Sequence, residues 1–283
     1  MHTRPHPQPG ARPIKDTFMK KKTKKKKKNL TLNDNTKFLL EQLIRRDFTK
    51  RYKRTTLGFA WSILSPLMLY MVMNFVFSYV FSHSTPHYSV FLFSGYVQYQ
   101  YFSSCTSGVM RTLVTNSSIF SKVNVEKILF VISENVSYLI TYFCMLLIYF
   151  LFVAMEHLPF TWKFLWLIVP VVYLVLFTFA VGLIISILYV YLRDMRYLWP
   201  VVMRITIYGS GIFYNPATFP DSVQWLFWFN PLYLSIYFFR SVVINGVVPG
   251  PGLFGLMAIA LVLFICIAVL LYQKTKKSMY LYL

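Results

Sequence analysis

Six apolar runs organise this chain: Gly58–Phe81, Tyr88–Leu113, Ile128–Met155, Phe164–Leu192, Tyr197–Tyr214 and Leu253–Tyr272. A helix needs about 20 apolar residues to cross the hydrocarbon core of a bilayer. The pattern therefore predicts an all-α integral membrane protein with six transmembrane helices. The stretch Asn215–Gly252, between the fifth and sixth runs, is apolar in its middle but interrupted by Pro216, Pro220 and Pro231. Proline removes a backbone donor and stops a helix, so this stretch cannot be one straight span. It predicts two short helices, roughly Ser222–Phe229 and Leu232–Val243, turning at Asn230-Pro231. Such a re-entrant helical hairpin requires protein or a water-filled path to satisfy its backbone.

The pattern changes ahead of the first run. Met1–Asn29 is low in complexity, with Lys20–Lys28 broken only by Thr23, and reads as a disordered polybasic tail. Within residues 30–57, Asp34–Tyr52 places Leu40, Leu43, Ile44, Phe48 and Tyr52 at three- and four-residue spacing on one face. Arg45, Arg46, Lys50, Arg51, Lys53 and Arg54 crowd the other. A basic amphipathic helix just ahead of a span predicts an interfacial helix in the headgroup plane. Residues 58–283 then form the membrane domain.

Composition sharpens this picture. Hydrophobic residues make up 57% of the 283 and charged residues only 13%, about half the charge of a soluble domain. The net charge of +20 is concentrated at the N-terminus, where residues 1–57 hold 18 of the 29 Lys and Arg. That asymmetry argues for a membrane surface over nucleic acid. Lys and Arg also alternate between loops: none in 83–87, three in 111–127, one in 156–163, then Arg193 and Arg196, and finally Lys274, Lys276 and Lys277. By the positive-inside rule both termini face the cytoplasm, and the host bilayer is the cytoplasmic (inner) membrane. Cys105, Cys144 and Cys266 lie singly in apolar runs, which disfavours a disulfide framework or a zinc site.

Candidate chemistry is sparse. The sequence has no GxxxxGK[ST] phosphate loop, no HExxH and no GxSxG, and its nine acids are scattered. The chain is thus not expected to be an enzyme, and energy for any uphill work must come from a partner or an ion. Glu134, Arg204 and Arg240 are the ionisable residues inside apolar segments. Mid-span aromatics, among them Tyr70, Phe77, Tyr99, Phe102 and Tyr142, can stack against sugar rings along a passage or simply pack the bundle.

Four stretches carry a family resemblance. They are Arg45-Arg46-Asp47 through Arg51-Tyr52-Lys53 with Leu57-Gly58-Phe59-Ala60-Trp61 and Ser65-Pro66-Leu67; Leu92-Phe93-Ser94-Gly95 with Phe102-Ser103; Asn116–Lys127; and Arg193-Asp194 through Phe213-Tyr214 with Asn230-Pro231-Leu232 and Arg240. In this order the chain, from about Phe38 onward, resembles the type 2 ABC permeases of polysaccharide and polyol-phosphate export, which serve O-antigen, capsule and teichoic acid. It departs from the family pattern at Tyr99, at Asn124-Val125 and at Gly211.

The resemblance implies a homodimeric permease that moves an undecaprenyl-diphosphate-linked polysaccharide, driven by a separate nucleotide-binding subunit. ATP and Mg would bind that partner, and this chain would carry no cofactor or metal. Asn116, Ser117, Lys122, Glu126 and Lys127 would form a coupling helix on the ATPase. Arg45, Arg46, Arg51, Lys53 and Arg54 would receive the lipid diphosphate. The aromatics named above would line the glycan path, and Pro220, Asn230, Pro231 and Arg240 would belong to an outer gate hairpin. A drug or lipid exporter of the same superfamily and a non-transporting envelope scaffold are the alternatives. The short 82–87 loop disfavours the former, since such exporters often carry a large outer domain.

Overall fold

A computed structural model of the chain describes residues 32–52, 58–81, 85–120, 126–276 and 278–279. The polybasic tail, Lys53, Arg54 and Lys122 lie outside the described residues. The chain divides into two compact units, Met1–Leu39 and Leu40–Leu283. Of the first unit, the description covers only the opening turns of helix α1 (Leu32–Tyr52).

Every regular element among the described residues is helical. In the second unit α1 is followed by α2 (Ala60–Phe81), α3 (Tyr88–Thr115), α4 (Ser117–Phe120) and α5 (Ile128–Met155). A 3-10 segment, Trp162–Leu167, leads into α6 (Ile168–Tyr191). Then come α7 (Met195–Gly209), a short turn at Pro216–Thr218, α8 (Asp221–Trp228), α9 (Pro231–Val243) and α10 (Pro251–Thr275). Four segments are long and apolar enough to cross a membrane: α2, α5, Trp162–Tyr191 and α10. The chain is an all-helical membrane protein.

The core is built around α3, which packs most extensively on α5 and α6 and also touches α9. Residues Val90–Tyr99 are buried on every side of that helix. This explains a composition too polar for a lipid-facing span. Ser94, Gln98 and Thr106 are inside because other helices, not lipid, surround them. At the periphery, α2 buries only Pro66 and Tyr70, α7 only Trp199 and Met203, and α10 only Leu253, Met257 and Ala268.

The fifth apolar run departs from its expected extent, 197–214. Helix α7 stops at Gly209, and Ser210–Tyr214 leave the helical path. Gly211 adopts φ +59°, a left-handed conformation that a side chain disfavours. A Cβ there would also fall 2.6 Å from Pro216 Cγ. The hydrophobic run does not reveal this break, because Ile212 and Phe213 are as apolar as the helix before them.

Gly211→Ala should therefore destabilise the protein by about 1–3 kcal/mol through backbone strain alone, with the Pro216 contact adding to it. Thermal unfolding of the detergent-purified variant checks this, and a markedly lower midpoint is the expected result.

Candidate functional site

A helix that ends inside a bundle leaves carbonyls without partners, and each must find a donor. At the end of α7 those donors can be named. Tyr214 Oη donates to Tyr208 O at 2.5 Å, and Asn230 Nδ2 donates to Gly209 O at 3.1 Å and to Ser210 Oγ at 2.8 Å. Arg240 Nη1 donates to Gly211 O at 2.7 Å, and Nη2 to Ile212 O at 3.0 Å. Tyr88 Oη donates to Phe213 O at 2.9 Å. The break after α7 is thus stitched to α9 and α3.

Arg240 also reaches α3. Its Nε donates to Ser94 Oγ at 3.1 Å, and Nε and Nη2 approach Phe91 O at 3.3 and 3.1 Å. The guanidinium carbon lies 3.5 Å from the centroid of the Phe91 ring, a cation–π contact. Gly95 makes room, since a Cβ at that position would sit 2.8 Å from Arg240 Nη2. Arginine suits the position because its planar fork addresses several carbonyls at once.

Two further contacts hold the neighbouring helices. Asn230 caps α9, accepting from Leu232 N at 3.0 Å, with Pro231 at the first helical position, where its missing N–H costs nothing. Ser235 on α9 donates to Gln98 Oε1 on α3 at 2.5 Å. The inner face of α7 is tied to α3 by Trp199 Nε1 to Thr106 Oγ1 (3.1 Å) and Tyr99 Oη to Met203 O (3.0 Å).

A second polar cluster lies where α1, α4 and α5 meet. Asp47 is buried although it projects from a basic helix. Its Oδ1 accepts from Arg46 Nε and Nη2 at 2.9 and 2.7 Å, and its Oδ2 accepts from Ser133 Oγ on α5 at 2.5 Å. The Arg46 guanidinium lies 5.5 Å from the Phe130 ring, and Phe120 of α4 meets the same ring edge-on at 4.9 Å. Phe130 thus joins α1 and α4 to the first turn of α5. Beside it is a cavity of about 290 Å³ lined by Asp47, Arg111, Thr112, Asn116 and Glu134, among others. Lys127, just ahead of α5, is buried, and this burial, with Lys276 nearby, lowers its ammonium pKa.

The residues expected from the sequence separate accordingly. Pro231, Asn230 and Arg240 converge at the α7 break, while Pro220 stands outside it, exposed at the start of α8. Asn116, Ser117 and Glu126 lie at or near the surface. The expectation of Lys127 as an outward contact is corrected, because the residue is inside. Arg46 is likewise corrected as a free anion site, since it is committed to Asp47 and Phe130, whereas Arg45 is exposed. Arg51 lies on α1, and nothing is described of its side chain.

Of the five aromatics expected along a glycan path, four pack inside the chain. Tyr70, Tyr99, Phe102 and Tyr142 are buried by packing within the chain. Tyr70 stacks on Phe93 at 4.1 Å, Phe102 on Phe177 at 5.4 Å and Tyr142 on Tyr101 at 4.6 Å. Only Phe77 is partly open, 4.7 Å from Phe213. The cluster residues Asp47, Ser133, Phe130 and Phe120 were not expected. The signal available for them was a lone acid on an otherwise basic helix face.

The sequence model of the ABC-2 type transporter family matches residues 39–244. The chain belongs to that family. Both polar clusters fall within the matched residues. Similar proteins include the O-antigen export system permease protein RfbA of Klebsiella pneumoniae, 28% identical over 214 residues, covering 74% of this chain and 81% of the relative. The polysialic acid transport protein KpsM of Escherichia coli is 24% identical over 250 residues, covering 86% and 95%. The O-antigen export system permease protein RfbA of Myxococcus xanthus is 26% identical over 186 residues, covering 65% and 70%.

Arg240→Lys keeps the charge but cannot address Gly211, Ile212 and Phe91 together. A hydrogen bond to a charged group contributes about 1.5–3 kcal/mol, so the substitution should cost roughly 3 kcal/mol or more. Unfolding of the purified variant measures this, and stability near that of the parent would show that the carbonyls have other donors.

Proposed function

We propose that this chain is the membrane-spanning subunit of an ATP-driven exporter of lipid-linked polysaccharide of the O-antigen or capsular type. The observation that carries the reading is family membership combined with similarity, over three quarters or more of their length, to permeases named for O-antigen export and polysialic acid transport. The absence of any phosphate-binding loop from the sequence fits a chain whose ATPase is a separate subunit.

In this reading α3 and α7 complete a set of six spans. The 28 residues of α3 are long enough, and its polar side chains are sheltered by protein. The 15 residues of α7 are extended by the stitched segment 210–214. Helices α8 and α9 form a re-entrant hairpin at the outer side, held shut through Asn230 and Arg240. Both termini are cytoplasmic, consistent with the Lys and Arg distribution. Helix α1 lies at the headgroup level and offers the exposed Arg45 to the lipid diphosphate.

Two copies pair through α2 and α7. The exposed face of α10 is aliphatic, with Ile259, Val262, Leu263 and Leu270, and suits lipid tails. The exposed faces of α2 and α7 carry Trp61, Phe75, Tyr79, Tyr197 and Tyr208, and α7 adds Arg204. A charge inside a span, Arg204, suits a protein seam better than lipid. Phe213 lies between them, 4.7 Å from Phe77 and 5.7 Å from Tyr208. The ATPase would press on α4 and Glu126, and the push would enter α5 through Phe120 and Phe130.

Reconstitution with the partner ATPase in vesicles holding the lipid-linked polymer tests the reading. Export should require both ATP and the partner, and export by this chain alone would refute it. In the same preparation, Glu126→Lys should lower ATPase stimulation several-fold without changing the fold of the chain.

A further inference from the structure

Arg204 and Arg240 both lie more than a turn inside apolar segments, and the chain treats them in opposite ways. Arg240 is buried and makes five hydrogen-bond contacts. Arg204 is exposed on α7 and makes no hydrogen bond or ion pair among the described residues. It borders a shallow, wide-open surface depression of about 590 Å³ with Val201, Ile205, Tyr208 and Tyr214. Counting from Tyr197, where its apolar run begins, at about 1.5 Å per residue, Arg204 lies roughly 10 Å along the helix, about a third of the way into a ~30 Å hydrocarbon core. A lipid-facing guanidinium at that depth is strongly unfavourable, and such residues face water-filled cavities or partners.

The two-copy seam sharpens the problem. A two-fold axis along the membrane normal sets the two Arg204 residues at equal depth, on the same patch of each subunit. Two like charges then face one low-dielectric passage with no acid in the depression to answer them. An anion in the passage resolves this.

We propose that the Arg204 face of α7 is an anion-selective stretch of the conduit, and that the exported polymer is acidic, carrying carboxylate or phosphate groups along its repeat. The proposal rests on the export reading and on the seam between α2 and α7. The tyrosines at 208 and 214 complete a face able to stack on sugar rings while the arginine meets their acid substituents. A stretch of this kind draws an acidic chain in without a deep single site, because each repeat exchanges one carboxylate for the next at the same cation.

The experiment uses the complex of this chain with its ATPase partner in nanodiscs. Val201→Cys reports on the depression one turn from Arg204, in a background with Cys144 and Cys266 replaced by alanine and the buried Cys105 kept. Its reaction rates with a sulfonate-bearing and a trimethylammonium-bearing methanethiosulfonate are each normalised to those of a free thiol. The anionic reagent should be favoured about ten-fold, the lower end of what focused charge achieves. Arg204→Gln should abolish the preference and Arg204→Lys should retain it. Labelling without anion preference overturns the charge inference and leaves the seam standing. No labelling by either reagent shows a face without aqueous access and overturns the placement of Arg204 in a conduit. Compositional analysis of the surface polymer of the host is the second readout. Uronate, sialate or phosphate in the repeat supports the proposal, and a wholly neutral repeat overturns it.

Discussion

The Arg240 guanidinium sits inside the helix bundle, and its charge is answered by backbone carbonyls rather than by a carboxylate. Those carbonyls belong to the break after α7 and to the first turn of α3. The arrangement solves two problems together, since a buried cation needs acceptors and an interrupted span needs donors. Each is expensive alone, and together they fix one geometry. Asn230, Tyr88 and Tyr214 complete the accounting, so that the segment 208–213 is held by side chains from α9, from α3 and from just beyond the break itself. Gly95 and Gly211 are the spaces this geometry requires.

From that constraint follows a division of the molecule. Helices α3, α5, α6 and α9 form a packed interior, while α2 and α7 touch it along narrow faces. A packed interior responds to force as a body, whereas a thinly held helix can move relative to it. The polar cluster of Arg46, Asp47, Ser133 and Phe130 ties α1 and α4 to the foot of α5. In the proposed transport cycle this cluster is where force enters. The α2 and α7 faces, with Arg204 between them and the polymer, are where the force is used.

Much of the fold was legible because membrane helices obey a length rule. Helix α5 matches its apolar run to the residue, and the Asn230-Pro231 turn follows from proline chemistry. The break at Gly209 was not legible, because Ile212 and Phe213 keep the run apolar while the backbone changes course. The path aromatics had two readings, passage or packing, for a related reason. A tyrosine in a span has the same hydropathy whether it faces a channel or a neighbour, and Tyr70, Tyr99 and Tyr142 face neighbours. The roles expected of Arg46 and Lys127 came with the family resemblance, and only the fold shows that Asp47 ties up the one and that the foot of α5 buries the other. Arg240 was marked as part of the hairpin, but its partners lie on elements more than a hundred residues away as well as on the break.

The central claim is that a rigid interior, pinned through Arg240, carries a mobile α2 and α7 seam between two copies that ATP on the partner subunit drives. The most direct test is the distance between spin labels at Ile205 in the two copies of the reconstituted complex, measured without nucleotide and with ATP trapped on the partner. The account predicts a single short inter-copy distance that changes on ATP trapping, while labels paired within one chain across α3 and α9 keep theirs. An absent inter-copy signal, or a distance that nucleotide leaves unchanged, would contradict it.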